Sequence, residues 1–159
     1  MFKIFSFFLI YKAIIETGLR SPFNTLSREL SDKSKNLKKS EKRYRTLFEY
    51  APIGICIVTT DSTIIMVNAK LCAYFKSTYT GLYNKKLTEF SLTHTQFSQL
   101  LTTIETAGYI EDYEIQLNRM DKTPYSAALN AIIIVMNNKK HLLFMIQDIT
   151  EQKAAKEIL

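Results

Sequence analysis

The stretch Tyr44-Arg45-Thr46-Leu47-Phe48-Glu49-Tyr50-Ala51-Pro52-Ile53-Gly54-Ile55-Cys56-Ile57-Val58-Thr59-Thr60-Asp61-Ser62-Thr63-Ile64-Ile65-Met66-Val67-Asn68-Ala69 decides the fold. Glu41 to Tyr50 reads as helix, and Pro52 with Gly54 stops it, because proline pushes the residue before it out of helical backbone. Ile55 to Thr59 is a short apolar run of strand type. Thr60-Asp61-Ser62 is a polar turn and Thr63 to Val67 a second strand, so the two pair as a hairpin. Asn68 then stands where a helix N-cap belongs, opening a short helix through Phe75.

Toward the C-terminus, a loop containing Gly81 leads to a helix over Thr95 to Ala107, with Phe97, Leu100, Leu101 and Ile104 on one stripe and Gly108 as its C-cap. Strands follow over Glu111 to Leu117, Tyr125 to Met136 and His141 to Ile146, separated by turns at Asp121-Lys122 and Asn137-Asn138. The order β-β-α-α-β-β-β, with hairpins everywhere except across the helical middle, predicts an α+β fold. Its antiparallel sheet is covered by helices on one face and preceded by a long N-terminal helix.

Toward the N-terminus, Phe2 to Ile15 is almost wholly apolar but shorter than the roughly 20 residues of a membrane-crossing helix. Residues 1 to 18 read as the end of a membrane helix, because a dense set of Lys and Arg follows directly, as in a cytoplasmic flank. A signal peptide, a surface-lying anchor and a segment packed on the domain are the competing readings. Gly18 ends the run, and Ser21-Pro22 predicts a fresh helix start. Over residues 19 to 47, Phe23, Leu30, Leu37 and Tyr44 recur every seven residues, as do Leu19, Leu26, Lys33, Ser40 and Leu47. These are coiled-coil a and d positions, with a polar centre at Lys33 and Ser40. A dimeric signalling helix and a plain solvated helix both fit.

Charge separates these segments. Residues 1 to 46 carry 11 Lys/Arg and 4 Asp/Glu, whereas residues 47 to 159 carry 10 and 11. The compact part is therefore nearly neutral, which argues against nucleic acid as a partner. The basic N-terminal segment leaves room for a lipid-surface adaptor. Cys56 and Cys72 have neither zinc-site spacing nor a CxxC pattern and read as buried thiols. No nucleophile–base set, phosphate loop or paired carboxylates is present, so no catalytic residue, metal site or enzyme activity is expected. Strand alternation puts Cys56, Val58, Ala127, Leu129, Ala131, Phe144 and Ile146 on the helix-facing side, where the alanines leave space for a small ligand or for close packing. At the far end, Thr150 suits an N-cap for a helix running from residue 151 to 159, and Asp148 is placed to accept hydrogen bonds that fix its direction.

From Ser40 to Thr150 the sequence resembles a PAS domain. The resemblance rests on Tyr44 to Ile55 entering the first strand, on Val67-Asn68-Ala69, on Gly81 and on Asp148-Ile149-Thr150 followed by Glu151-Gln152-Lys153-Ala154-Ala155-Lys156-Glu157. It implies a five-stranded antiparallel sheet and assigns Asp148 and Thr150 to signal transmission into an outgoing helix. The usual Asp-Gly turn is here Asp121-Lys122. A flavin-binding relative would need a reactive cysteine beside an arginine and a glutamine where Ile146 stands; a haem sensor would need an axial histidine, and His94 lies in a polar Thr/Ser context. No cofactor is therefore expected. Ile10 to Phe23 resembles the end of the membrane-associated sensor regions that precede PAS domains in bacterial sensor histidine kinases and diguanylate cyclases. Together these resemblances imply a homodimeric relay at the cytoplasmic face of the cell membrane, with a kinase or cyclase output domain following Leu159. A small-ligand receptor is the alternative.

Overall fold

The computed structural model describes the backbone of residues 2–157 and the side chains of residues 25–156. The chain divides into two compact units, Met1–Arg45 and Thr46–Leu159. Helix α1 (Phe2–Glu49) makes up the first unit and lends its last turn to the second. Its backbone stays helical through Gly18 and Pro22, which corrects the expected break. An interior proline removes one hydrogen bond, here to the Gly18 carbonyl, and a long helix propagates past that loss because only nucleation is costly. Among the described residues no helix is long and apolar enough to cross a membrane. Leu26, Leu30, Leu37, Tyr44 and Leu47 are all more than half exposed along α1. The side chains of Leu19 and Phe23, from the same expected seam, lie outside the described residues.

The second unit carries a five-stranded antiparallel sheet in the order β2-β1-β5-β4-β3. The strands are β1 (Gly54–Thr59), β2 (Ile64–Val67), β3 (Tyr109–Asn118), β4 (Pro124–Met136) and β5 (Lys139–Asp148). Between β2 and β3 run four helices, α2 (Ala69–Tyr74), α3 (Tyr79–Leu82), α4 (Leu87–Phe90) and α5 (His94–Ala107), where the sequence predicted two. α3 and α4 have four residues each, too few for any apolar period to show. The segment after α3 covers the edge of β2: the Ile64 N–H donates to the Lys85 carbonyl at 2.8 Å and the Asn84 N–H to the Ile64 carbonyl at 2.9 Å. The opposite edge, β3, is defended by the exposed acids Glu111, Asp112 and Glu114, as a solvated edge requires.

Local chemistry sets the boundaries. A capping box at Thr93 and Gln96 starts α5, and Gly108 ends it with φ at 87°. Asn137 and Asn138, both at positive φ, form the two-residue turn between β4 and β5, where the right-handed twist of paired strands favours that backbone. The core lies between the sheet and the helices. Phe97, Leu100 and Ile104 of α5 are buried, while Leu101 is half-buried at the rim. Phe97 meets Phe144 edge-on at 6.4 Å, and Phe75 meets Phe90 at 5.2 Å.

Candidate functional site

Two junctions join this domain to its flanking helices, and each is built around one polar side chain. At the incoming end, Asn68 is fully buried and uses both ends of its amide. Its Oδ1 accepts from the Ile55 N–H at 2.9 Å and from the Leu71 N–H at 3.0 Å, and the second bond caps α2. Its Nδ2 donates to the carbonyls of Phe48, in the last turn of α1, and Ile53, both at 3.0 Å. One side chain thus holds together the end of α1, the start of β1 and the start of α2. Gly54 lets them approach this closely: a Cβ there would sit 2.7 Å from Leu71 Cδ1 and 3.1 Å from Tyr74 Cδ2.

At the outgoing end, the last residue of β5 is Asp148, and helix α6 (Thr150–Glu157) follows. Asp148 Oδ1 accepts from the Thr150 N–H at 3.0 Å and from the Thr150 hydroxyl at 2.6 Å; Oδ2 accepts from Arg119 Nη2 at 2.8 Å. Burial alone would raise the Asp148 carboxyl, but the bonds from Thr150 and Arg119 prevail and hold it below the ordinary carboxylate range. Thr150 is already the first helical residue, so it is not the N-cap that the sequence suggests. The Ile149 carbonyl accepts the first helical bond, from Lys153 at 2.9 Å. The Thr150 hydroxyl is instead turned onto the sheet and accepts from the Ser126 N–H at 3.1 Å, while the Ile149 N–H donates to the Ser126 carbonyl at 2.9 Å. One turn later Lys153 reaches Glu114 of β3 at 2.6 Å.

Arg119, in the β3–β4 turn, connects the two junctions. Besides Asp148, its guanidinium donates to the Tyr74 carbonyl at the end of α2 and lies 4.4 Å above the ring of Tyr125. The turn itself is fastened to the same end of α2: the Met120 N–H donates to the Phe75 carbonyl at 3.1 Å, and Lys76 Nζ pairs with Asp121 at 2.7 Å. Lys122 holds φ at 66° there, the backbone that the usual glycine would adopt without strain. The short helix α2 is therefore tied at its first turn to α1 through Asn68 and at its last to α6 through Arg119 and Asp148. Sequence analysis found Asp148, Thr150 and the capping role of Asn68. It missed Arg119, whose partners lie 29 and 45 residues away, and the bonds of Asn68 to Phe48 and Ile53.

The seven residues expected on the helix-facing side lie there together. Cys56 aligns with Phe144 and Phe144 with Ala131, while Leu129 aligns with Ile146. All seven, Cys56, Val58, Ala127, Leu129, Ala131, Phe144 and Ile146, are buried within the core. Burial pushes the Cys56 thiol up to about 12, which makes it an inert packing group. Among the described residues two buried hydroxyls, Tyr125 Oη and Ser91 Oγ, have no hydrogen-bond partner. His94 is exposed at the start of α5, and His141 is buried with Nδ1 donating to the Lys139 carbonyl at 3.0 Å. No group of three or more potential metal ligands converges among the described residues.

Comparison with known proteins gives a consistent answer. The PAS domain family profile matches residues 52–151. No curated protein matches the chain. Among solved structures, the PAS domain of an HTR-like protein from Haloarcula marismortui is similar with a TM-score of 0.59 and 20% identity, covering 74% of this chain and 98% of its own. A domain of a sensory box sensor histidine kinase/response regulator from Geobacter sulfurreducens gives 0.56 and 20%, with 70% and 97% covered. The PAS domain of a LuxR-family transcriptional regulator from Burkholderia thailandensis, solved in complex with ethanol, gives 0.56 and 18%, with 66% and 96% covered. The strand order, the helices over one face of the sheet and the profile match over most of the second unit agree: the chain belongs to the PAS domain family.

Proposed function

We propose that this chain is the sensory and dimerisation module of a bacterial signal-transduction protein and that it relays a conformational change without chemistry of its own. The observation that carries the reading is the double attachment of α2. Movement of α1 reaches α2 through the Phe48–Asn68 bond and through the Glu49 carboxylate, which accepts from the Ala69 N–H, and movement of α2 reaches α6 through the Tyr74–Arg119–Asp148 bonds. A relay of this kind biases an element with two positions, and the element is α6. Residues 1 to 18 hold the module at the cytoplasmic face of the membrane, the exposed heptad residues of α1 pair two copies, and α6 leads into a kinase or cyclase output domain. That one structural relative is part of a sensor histidine kinase supports the assignment of output.

The test joins the chain at Leu159 to the kinase region of a PAS-containing sensor kinase and measures autophosphorylation. Asp148→Asn and Arg119→Met should each shift the activity at least several-fold while dimer mass stays constant. Unchanged activity in both variants would refute the relay.

A second reading, a receptor for a small ligand in the core, is favoured by the unpartnered hydroxyls of Tyr125 and Ser91, which a small polar molecule would satisfy. The relative in complex with ethanol shows that kind of ligand in its own case. Native mass spectrometry of protein purified without denaturant distinguishes the readings. Retained mass that is lost in Tyr125→Phe supports the receptor; bare protein supports the relay.

A further inference from the structure

Strand β3 is the last in the sheet, and its outer edge is open where that of β2 is covered. The Asn118 N–H points away from β4 and donates to the Ser91 carbonyl at 3.4 Å. Main-chain groups alternate in direction along an antiparallel strand, so Gln116 and Glu114, two and four residues earlier, also turn their N–H and carbonyl groups outward. Those groups meet no backbone partner among the described residues, and both residues are exposed. Such an edge is a template for one more strand.

A bulge decides what each face of that template offers. Ile110 aligns with Ala131 and Tyr113 with Leu129, so Glu111 and Asp112 stand together opposite Asn130. Asp112 takes φ of 48°, and its N–H donates to Asn130 Oδ1 at 2.6 Å. The extra residue reverses the alternation beyond it. Tyr113 and Ile115 therefore fall on the helix-facing side, in line with the buried Leu129 and Ala127. There Tyr113, with Leu100 and Thr103 of α5, lines part of a mostly apolar depression of about 290 Å³. Glu114 falls on the opposite face, where Lys153 already meets it. Glu111 and Asp112 have no ion-pair partner among the described residues, and Tyr109–Asn118 contains three acids and no Lys or Arg. A second copy of β3 would set acid against acid, and an anionic surface would be repelled in the same way. The strand that complements this edge is basic on one face and apolar on the other. We propose that the β3 edge at residues 113–116 is a docking site for an extended segment of a partner protein in which Lys or Arg alternates with apolar residues. Its main chain pairs with Glu114 and Gln116, its apolar side chains lie beside Tyr113 and Ile115, and its cations meet the acids of the other face.

The test titrates the full chain with the capped peptide acetyl-Lys-Val-Lys-Val-Lys-Val-Lys-amide and reads amide exchange residue by residue by NMR. The controls are capped tetralysine, with the same charge and no alternation, and the peptide with Glu in place of every Lys. In the free chain the Glu114 and Gln116 amides should exchange rapidly; saturating lysine–valine peptide should slow both, and it should bind about ten-fold more tightly than either control, as two added main-chain hydrogen bonds imply. Gln116→Pro removes one outward donor and no bond to β4, so the fold should persist while binding weakens about five-fold. Glu111→Gln with Asp112→Asn, which keeps a residue that tolerates positive φ, should weaken binding about two- to five-fold. Tetralysine binding as tightly as the alternating peptide, or Glu114 and Gln116 amides that exchange no more slowly when the peptide is bound, would overturn the site. The exchange result on the unaltered chain decides the matter even if Gln116→Pro fails to fold.

Discussion

Arg119 joins three elements, α2 at the Tyr74 carbonyl, β5 at Asp148 and β4 at the Tyr125 ring. It and Asp148 are each about four-fifths buried, and each leaves the other unpaired if removed. Arg119→Met should therefore cost about 2 kcal/mol, read as a lowered urea midpoint with an unchanged slope. The pH dependence follows from the same pair. Because the folded carboxyl of Asp148 lies below its unfolded value, its contribution is fully present above about pH 3.9 and is lost as pH falls through the lower folded value. Asp148→Asn should flatten that part of the acid-unfolding curve and leave the neutral-pH slope alone. Lys122→Gly works in the opposite direction: it relieves positive φ at a turn where glycine is at home, and should raise stability by up to about 1 kcal/mol in the same denaturation assay. The Asp121-Lys122 departure from the usual turn was legible in the sequence, and so was its placement. What it secures was not, because the grip of Arg119 on Asp148 and Tyr74 is long-range and no local pattern encodes it.

Among the elements, α2 has six residues and would not persist alone. It persists because Asn68 caps it, Leu71 and the C-cap residue Phe75 are buried, and Gly54 allows β1 to press against it. Gly54→Ala should cost about 1–3 kcal/mol, since the added methyl forces Leu71 or Tyr74 to move. Asn68→Asp is a more selective change. It keeps the acceptor for Leu71 but turns an oxygen toward the carbonyls of Phe48 and Ile53, so amide exchange should quicken at residues 46–50 before it quickens in α2. The long elements were legible because their signals are local: alternation in β4, the stripe of α5, the Asn-Asn turn. The four-residue helices and the continuity of α1 through Pro22 were not, since the first are too short for a period and a Ser-Pro pair after glycine reads locally as the start of a new helix.

For the whole molecule, the proposed pairing of two chains rests on the heptads of α1, whose d positions Lys33 and Ser40 weaken the centre of the seam. Lys33→Leu with Ser40→Leu should lower the dimer dissociation constant at least ten-fold in sedimentation equilibrium; an unchanged monomer would remove the coiled coil from the account. The central claim is that the two junctions communicate through α2, and hydrogen–deuterium exchange of the α6 amides, residues 151–156, tests it most directly. Four proteins are compared: the unaltered chain, Asn68→Asp, Arg119→Met and the double variant. The account predicts that Asn68→Asp changes exchange in α6 although the substitution lies at the other end of α2, and that this change disappears once Arg119 is Met. Exchange in α6 that ignores Asn68→Asp, or effects that simply add in the double variant, would contradict it.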